Sequence, residues 1–156
     1  MNYVIDASVF VSAAQASDVH YAESVLLFGQ LEKTPNANVF CPTLLLAEYS
    51  ASIARRTSDA SLAESLVDLL DTIQGLKLES LTQSRAHRAA EVAARFRLRG
   101  ADAVYVALAE EFNATLITWD NEMLQRSAAV VQLLTPSAWM ETQKPKNDKI
   151  DTEASS

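Results

Sequence analysis

Short apolar runs alternate along this chain with longer stretches whose apolar residues recur every three or four positions. Asn2–Asp6 (NYVID) is the first short run, and it ends in a carboxylate. Asp18–Lys33 reads as a helix, with Asp18 as its N-cap and Tyr21, Val25, Phe28 and Leu31 on one face. Val39–Cys41 is a second strand, closed by Pro42. Thr43–Thr57 runs helical. So does Asp59–Gln74, where Leu62, Leu66, Leu69, Leu70 and Ile73 make an apolar stripe before Gly75 stops it. Leu76–Ser80 is the third strand, and Thr82–Arg99 is a helix with a basic side that Gly100 breaks. Ala101–Phe112 is the next helix, Ala114–Thr118 the fourth strand and Val130–Leu134 the fifth, with a short helix around Ser137–Glu141. Strands separated by helices predict an α/β domain, a parallel sheet of short strands flanked on both faces by helices. The domain spans residues 1–141. Residues 142–156 are polar and charged, and are expected to form a disordered tail.

A length of 156 residues suits one domain of this kind, and 49% hydrophobic residues suffice for a packed core. Three glycines leave no room for a Gly-rich loop that cradles phosphates. Cys41 is alone, which excludes an intramolecular disulfide and a thiolate metal cage. His20 and His87 are too far apart in sequence to form a His-rich metal site by themselves. Asp6 interrupts the first ten residues where a signal peptide needs an unbroken apolar stretch, and no run of about 18 apolar residues occurs. The expectation is a cytoplasmic protein with no membrane partner. The net charge of −7 argues against nucleic-acid binding over the whole surface, but not against a local basic strip.

Four acids fall where such a sheet gathers its chemistry. Ligands of an open parallel sheet sit outside the carboxyl ends of its strands. Asp6 ends the first strand and Asp120 lies two residues past the fourth. Glu48 is in the second turn of the helix after strand two, and Asp102 opens the helix before strand four. Both helices start at the same edge, because each runs antiparallel to the strands. Glu48 is the only charge in TLLLAEYSASIA, a segment with apolar groups on nearly every side, as in a buried helix. A carboxylate there needs a partner, because burying an isolated charge costs several kcal/mol or more. Each acid also has a plain structural use. Asp6 and Asp102 suit helix caps, Asp120 a turn, and Glu48 a pairing with Arg55 or Arg56. Four oxygen ligands without Cys or His suit Mg²⁺ or Mn²⁺, and such clusters hydrolyse phosphodiesters.

The segments YVIDASV (3–9), PTLLLAEYSASIARR (42–56) and ADAVYVALAEEFNATLITWD (101–120), with the spacing between them, resemble a PIN domain, and within it a VapC-type toxin ribonuclease. The third segment is the most specific. The resemblance spans about residues 2–140 and implies a three-layer α/β/α fold. It implies an acidic metal pocket of Asp6, Glu48, Asp102 and Asp120, with Mg²⁺- or Mn²⁺-dependent endonucleolytic cleavage of RNA that leaves a 5′-phosphate and a 3′-hydroxyl. Thr118 matches a hydroxyl residue that orients the pocket, Ser8 stands ready to do likewise, and Glu122 lies where some relatives carry a further acid. The resemblance also implies a homodimer and a small VapB-like antitoxin that inserts into the active-site groove.

The bases are placed unevenly. Arg85, Arg88, Arg95, Arg97 and Arg99 are opposed within their segment only by Glu91, and Arg55 and Arg56 form a smaller cluster. Such strips suit guidance of RNA phosphates, or a solvated helix face. Trp119, Tyr49 and Tyr105 read as core or pocket wall. Two other readings of the resemblance are a housekeeping RNA-processing nuclease and a catalytically silent interaction module. A phosphatase of the haloacid dehalogenase type would need a second Asp where Ser8 stands.

Overall fold

The computed structural model describes residues 1–144. Along the chain lie β1 (Asn2–Ile5), α1 (Ala7–Ala13), α2 (Tyr21–Leu31), β2 (Asn38–Pro42), α3 (Leu44–Thr57), α4 (Ala60–Leu70) and β3 (Leu76–Glu79). They are followed by α5 (Gln83–Phe96), α6 (Gly100–Glu111), β4 (Thr115–Ile117), α7 (Asn121–Arg126), β5 (Leu133–Leu134) and α8 (Pro136–Thr142). Of the tail expected over 142–156, residues 145–156 lie outside the described residues. Among the described residues no helix is long and apolar enough to cross a membrane.

The five strands form one sheet in the order β3-β2-β1-β4-β5, and every neighbouring pair is parallel. The fold is a three-layer α/β/α sandwich. Val4 and Leu116 pair in register, as do Val4 and Phe40, so all three share a face, where Phe40 stacks on Phe112 at the end of α6. Tyr3 faces the other way and meets Trp139 of α8 edge-on at 5.6 Å. From β1 the chain steps outward to β2 and β3, then returns to the other side of β1 for β4 and β5. The switch point therefore lies between β1 and β4, where a crevice opens at the carboxyl ends of the strands.

Helix packing departs from the sequence expectation in instructive places. The segment read as a buried helix, α3, buries only Leu45, Tyr49 and Ile53. The helix that is covered nearly all round is α6, which buries Asp102, Ala103, Tyr105, Val106, Ala107, Leu108 and Ala109 between the sheet and α5. Small side chains at Ala103, Ala107 and Ala109 allow that close double contact.

The face of α2 is Ser24, Leu27 and Leu31, whereas Val25 is exposed. Its N-cap is His20 rather than Asp18, although the Asp18 carboxylate accepts the His20 backbone N–H at 2.9 Å. On α4, Ala63 and Leu70 are buried, while Leu62, Leu69 and Ile73 of the predicted stripe face outward. The basic helix ends at Phe96, not at Gly100. Arg97 takes the left-handed conformation at φ 55° and closes it, and Gly100 begins α6. The fifth strand is confined to Leu133–Leu134.

Candidate active site

Asp6 leaves β1 with its backbone N–H still on the ladder, donating to the Ile117 carbonyl at 3.0 Å. Its side chain is buried and caps α1. Three donors reach one oxygen, Oδ2. They are the Ser8 hydroxyl at 2.5 Å, the Ser8 backbone N–H at 3.3 Å and the Thr118 hydroxyl at 2.9 Å. Thr118 Oγ1 also accepts the Asp120 backbone N–H at 2.9 Å, which ties the end of β1 to the end of β4. Oδ1 of Asp6 has no hydrogen-bond partner among the described residues.

The other acids are held in the same one-handed way. Glu48 Oε2 accepts the Tyr105 hydroxyl at 2.7 Å across the cleft, and Oε1 has no partner among the described residues. Glu48 thus pairs with neither Arg55 nor Arg56. Tyr105 stands three residues after Asp102, so both project from one face of α6, a spacing from which its reach to a cleft acid could have been read, although it is fully buried and does not line the cleft. Asp102 sits in the first turn of α6, where the helix N-terminus favours negative charge, but the N-cap is Arg99 and not Asp102. Asp102 Oδ2 accepts from Arg99 Nε at 2.8 Å. Asp120 caps α7 by accepting the Met123 N–H at 2.8 Å, and its other oxygen is held by the second arm of Arg99.

These residues line a cleft of about 490 Å³ with Ser8, Asp18, His20, Arg55, Arg56, Arg99 and Trp119. The four acids of the sequence reading are therefore together. The accessory candidates divide. Ser8 and Thr118 hold Asp6, whereas Glu122 pairs with Arg126 along α7 and does not line the cleft. The arginines divide too. Arg55, Arg56 and Arg99 line the cleft. Arg85 and Arg88 are bound to Glu111 and Glu110, about 13 Å along α6 from Asp102 at the usual helical rise. Arg95 lies over the Phe96 ring, and Arg97 ends its helix.

Burial pushes the Asp6 carboxyl up, against the hydrogen bonds from Ser8 and Thr118, and the charge of Asp120 pushes the same way. Burial likewise raises Glu48, with Asp6 and Asp102 adding to it against the Tyr105 bond. Asp102 is raised by burial first and by Asp120 and Asp6 next, against Arg99. The cleft therefore holds negative charge that its own residues do not neutralise.

Among the described residues no group of three or more His, Cys, Asp or Glu side chains is arranged to hold a metal ion as it stands. The donor set nonetheless fits a hard divalent cation. Asp6, Glu48 and Asp102 each have one oxygen fixed by a protein donor and one without such a donor, and their mutual repulsion is what a cation relieves.

In comparisons with known proteins, residues 3–129 match the PIN domain family. Among solved structures, VapC20 of Mycobacterium tuberculosis, described as a sarcin–ricin loop cleaving toxin, superposes with a TM-score of 0.69. It is 17% identical over 83% of this chain and 97% of that one. A chain of VapBC2 from Rickettsia felis, solved on a promoter DNA fragment, gives 0.67 at 16% identity, over 86% of this chain and 98% of its own. A chain of FitAcB from Neisseria gonorrhoeae gives 0.65 at 16% identity, with 86% and 98% covered. At these identities the likeness is one of fold. A search of curated proteins finds no match.

Proposed function

Because this chain belongs to the PIN domain family, we propose that it is a Mg²⁺- or Mn²⁺-dependent endoribonuclease and the toxin of a toxin–antitoxin pair. The observation that carries the reading is the trio Asp6, Glu48 and Asp102 in a cleft at the sheet's switch point, each with an oxygen to spare and, among the described residues, only Asp102 ion-paired. A bound divalent ion would supply the Lewis acidity that activates water and neutralises charge on the departing oxygen.

The chain's own side chains do the rest. Ser8 and Thr118 hold the Asp6 carboxylate in one rotamer, and Tyr105 does so for Glu48. These supports keep the ligand oxygens aimed at one place, the preorganisation on which electrostatic catalysis depends. Asp6, Glu48, Asp102 and Asp120 form the proposed metal-binding and catalytic set. Arg55, Arg56 and, once released, Arg99 offer the phosphate backbone its cations at the rim. In the hydrolysis a water oxygen bonds to phosphorus and the bond from phosphorus to the 3′ oxygen breaks. That oxygen takes a proton, leaving a 3′-hydroxyl and a 5′-phosphate.

A VapB-like antitoxin is the partner this reading implies, in keeping with the VapBC and FitAB complexes among similar structures. Exposed Leu26, Leu62 and Leu69 offer apolar surface for that partner or for a second copy in a homodimer. The reading places the protein in the cytoplasm with its RNA substrate.

Mn²⁺ titration by calorimetry on wild type and Asp102→Asn, paired with cleavage of total RNA, tests the proposal. Binding and cleavage are expected in the wild type and expected to vanish together in the variant. Wild-type protein that binds no Mn²⁺ at neutral pH sinks the reading and leaves a silent interaction module of the same fold.

A further inference from the structure

Part of the cleft wall is aromatic rather than acidic. Trp119, between Thr118 and Asp120, stacks on His20 with ring centroids 3.9 Å apart and planes 9° from parallel. Both rings line the cleft that holds the carboxylates, and both residues are half-buried rather than packed away.

Each residue is fixed by hydrogen bonds from its backbone or ring edge, and none of them lies over a ring face. Trp119 Nε1 donates to Ser24 Oγ at 2.8 Å, and Ser24 shares a buried hydrogen bond of 2.6 Å with Ser12. The Trp119 backbone N–H donates to Ser8 Oγ, the hydroxyl that also holds Asp6. His20 is held through its backbone. Its N–H donates to Asp18 Oδ1, and Asp18 Oδ2 is held in turn by Arg56 at 2.8 Å. Neither imidazole nitrogen has a hydrogen-bond partner among the described residues.

We propose that the His20–Trp119 pair is a nucleobase subsite, on which an unpaired base next to the scissile phosphate extends the stack. The proposal rests on the nuclease reading and names what the cleft recognises besides phosphate. Trp119 and Asp120 are adjacent, with Cα atoms about 3.8 Å apart, so one nucleotide can present its phosphate to the acids and its base to the rings. Every base has a π-face, so the subsite tolerates sequence, but a base inside a duplex cannot reach it. Single-stranded segments and loops are therefore the substrate class.

The test compares fluorescence anisotropy of two labelled oligomers in Ca²⁺ buffer, hexauridylate and an abasic ribose-phosphate of the same length. Wild-type protein is expected to bind the base-bearing oligomer about tenfold more tightly or better, the scale of one aromatic stack. His20→Ala brings the ratio close to one, and His20→Phe, which keeps a stacking ring, restores it. Equal wild-type affinity for the two oligomers, or a ratio unchanged in His20→Ala, overturns the subsite while RNA cleavage in Mn²⁺ leaves the nuclease reading standing. A wild-type protein that binds neither oligomer and cuts no RNA overturns both.

Discussion

Along the seam between α5 and α6, Arg85 donates to both carboxylate oxygens of Glu111 and reaches Glu79, while Arg88 grips Glu110 in the same way with Glu91 alongside. At the carboxyl edge of the sheet, Asp6, Glu48, Asp102 and Asp120 share one ion-pairing cation, Arg99, among the described residues. The protonation equilibria differ accordingly. The Arg88 and Arg85 guanidiniums hold Glu110 and Glu111 below the usual carboxylate range. Burial holds Asp6, Glu48 and Asp102 above it. The seam is charge brought to balance at the surface, and it serves the packing of two helices. The cleft is charge kept out of balance in a half-buried place, at a cost that packing alone would not retain.

Replacing Asp6 with Asn breaks this contrast most severely. The isosteric amide keeps an oxygen for Ser8 and Thr118 but removes the charge, and cleavage is expected to fall at least about a hundredfold. Stability is expected to move the other way. A carboxyl whose folded pKa is raised contributes stability that is complete below its unfolded pKa and lost as pH rises through the folded one. Above its raised folded pKa the ionised Asp6 therefore destabilises the metal-free protein. The variant should melt at the same temperature as wild type or higher. A loss of several degrees would make Asp6 a structural cap first, and the cleft would no longer differ in kind from the seam.

The complementary change, Arg85→Ala, is expected to cost about 1–2 kcal/mol, a few degrees of melting temperature, with RNA cleavage little altered. The loss is small because Glu111 is 45% exposed and solvent screens the pair. Here the sign with pH is reversed. Glu111 has a lowered folded pKa, so the seam's stabilisation is present above the unfolded value and is lost as pH falls through the folded one. Melting curves of wild type and variant should converge as the pH falls below the usual glutamate range. Curves that stay apart in acid would assign the loss to the contact of Arg85 with the Phe112 ring and to general packing.

The difference between the two regions was only partly legible in the sequence. Strand ends and helix starts follow from a period of two or of about 3.6, and in a parallel sheet those positions share an edge. That is why Asp6, Glu48, Asp102 and Asp120 could be brought together on paper. Composition could not distinguish α3 from α6, since both are rich in small and apolar residues, and the surrounding of a helix is decided by what lies across from it. The basic face of α5 misled for the same reason. Arg85 and Arg88 look unopposed along their own helix, and their acids, Glu110 and Glu111, arrive from the next one. Asp6 is a cap as well as a pocket acid, Asp120 caps α7 where the sequence suggests only a turn, and Asp102, which suits a cap, is not one. One carboxylate has two oxygens, and here the cap takes one. The stack of His20 on Trp119 joins residues 99 positions apart and leaves no periodic trace.

Arg99 is where the comparison can be sharpened by the smallest expected effect. Its guanidinium reaches Asp102 with Nε and Asp120 with a terminal nitrogen, and the side chain is 65% exposed. It supplies the cleft with the kind of bridge that Arg85 supplies to the seam, but across acids that repel one another. A divalent cation and Arg99 then compete for the same two carboxylates. Arg99→Gln removes the competitor and its charge, and an exposed pair of this kind is worth up to about 1 kcal/mol. Mn²⁺ binding by calorimetry should therefore tighten about two- to fivefold in the variant. Weaker binding would show that Arg99 organises Asp102 and Asp120 for the ion rather than standing in its way. The bridge in the cleft would then be structural, as it is in the seam.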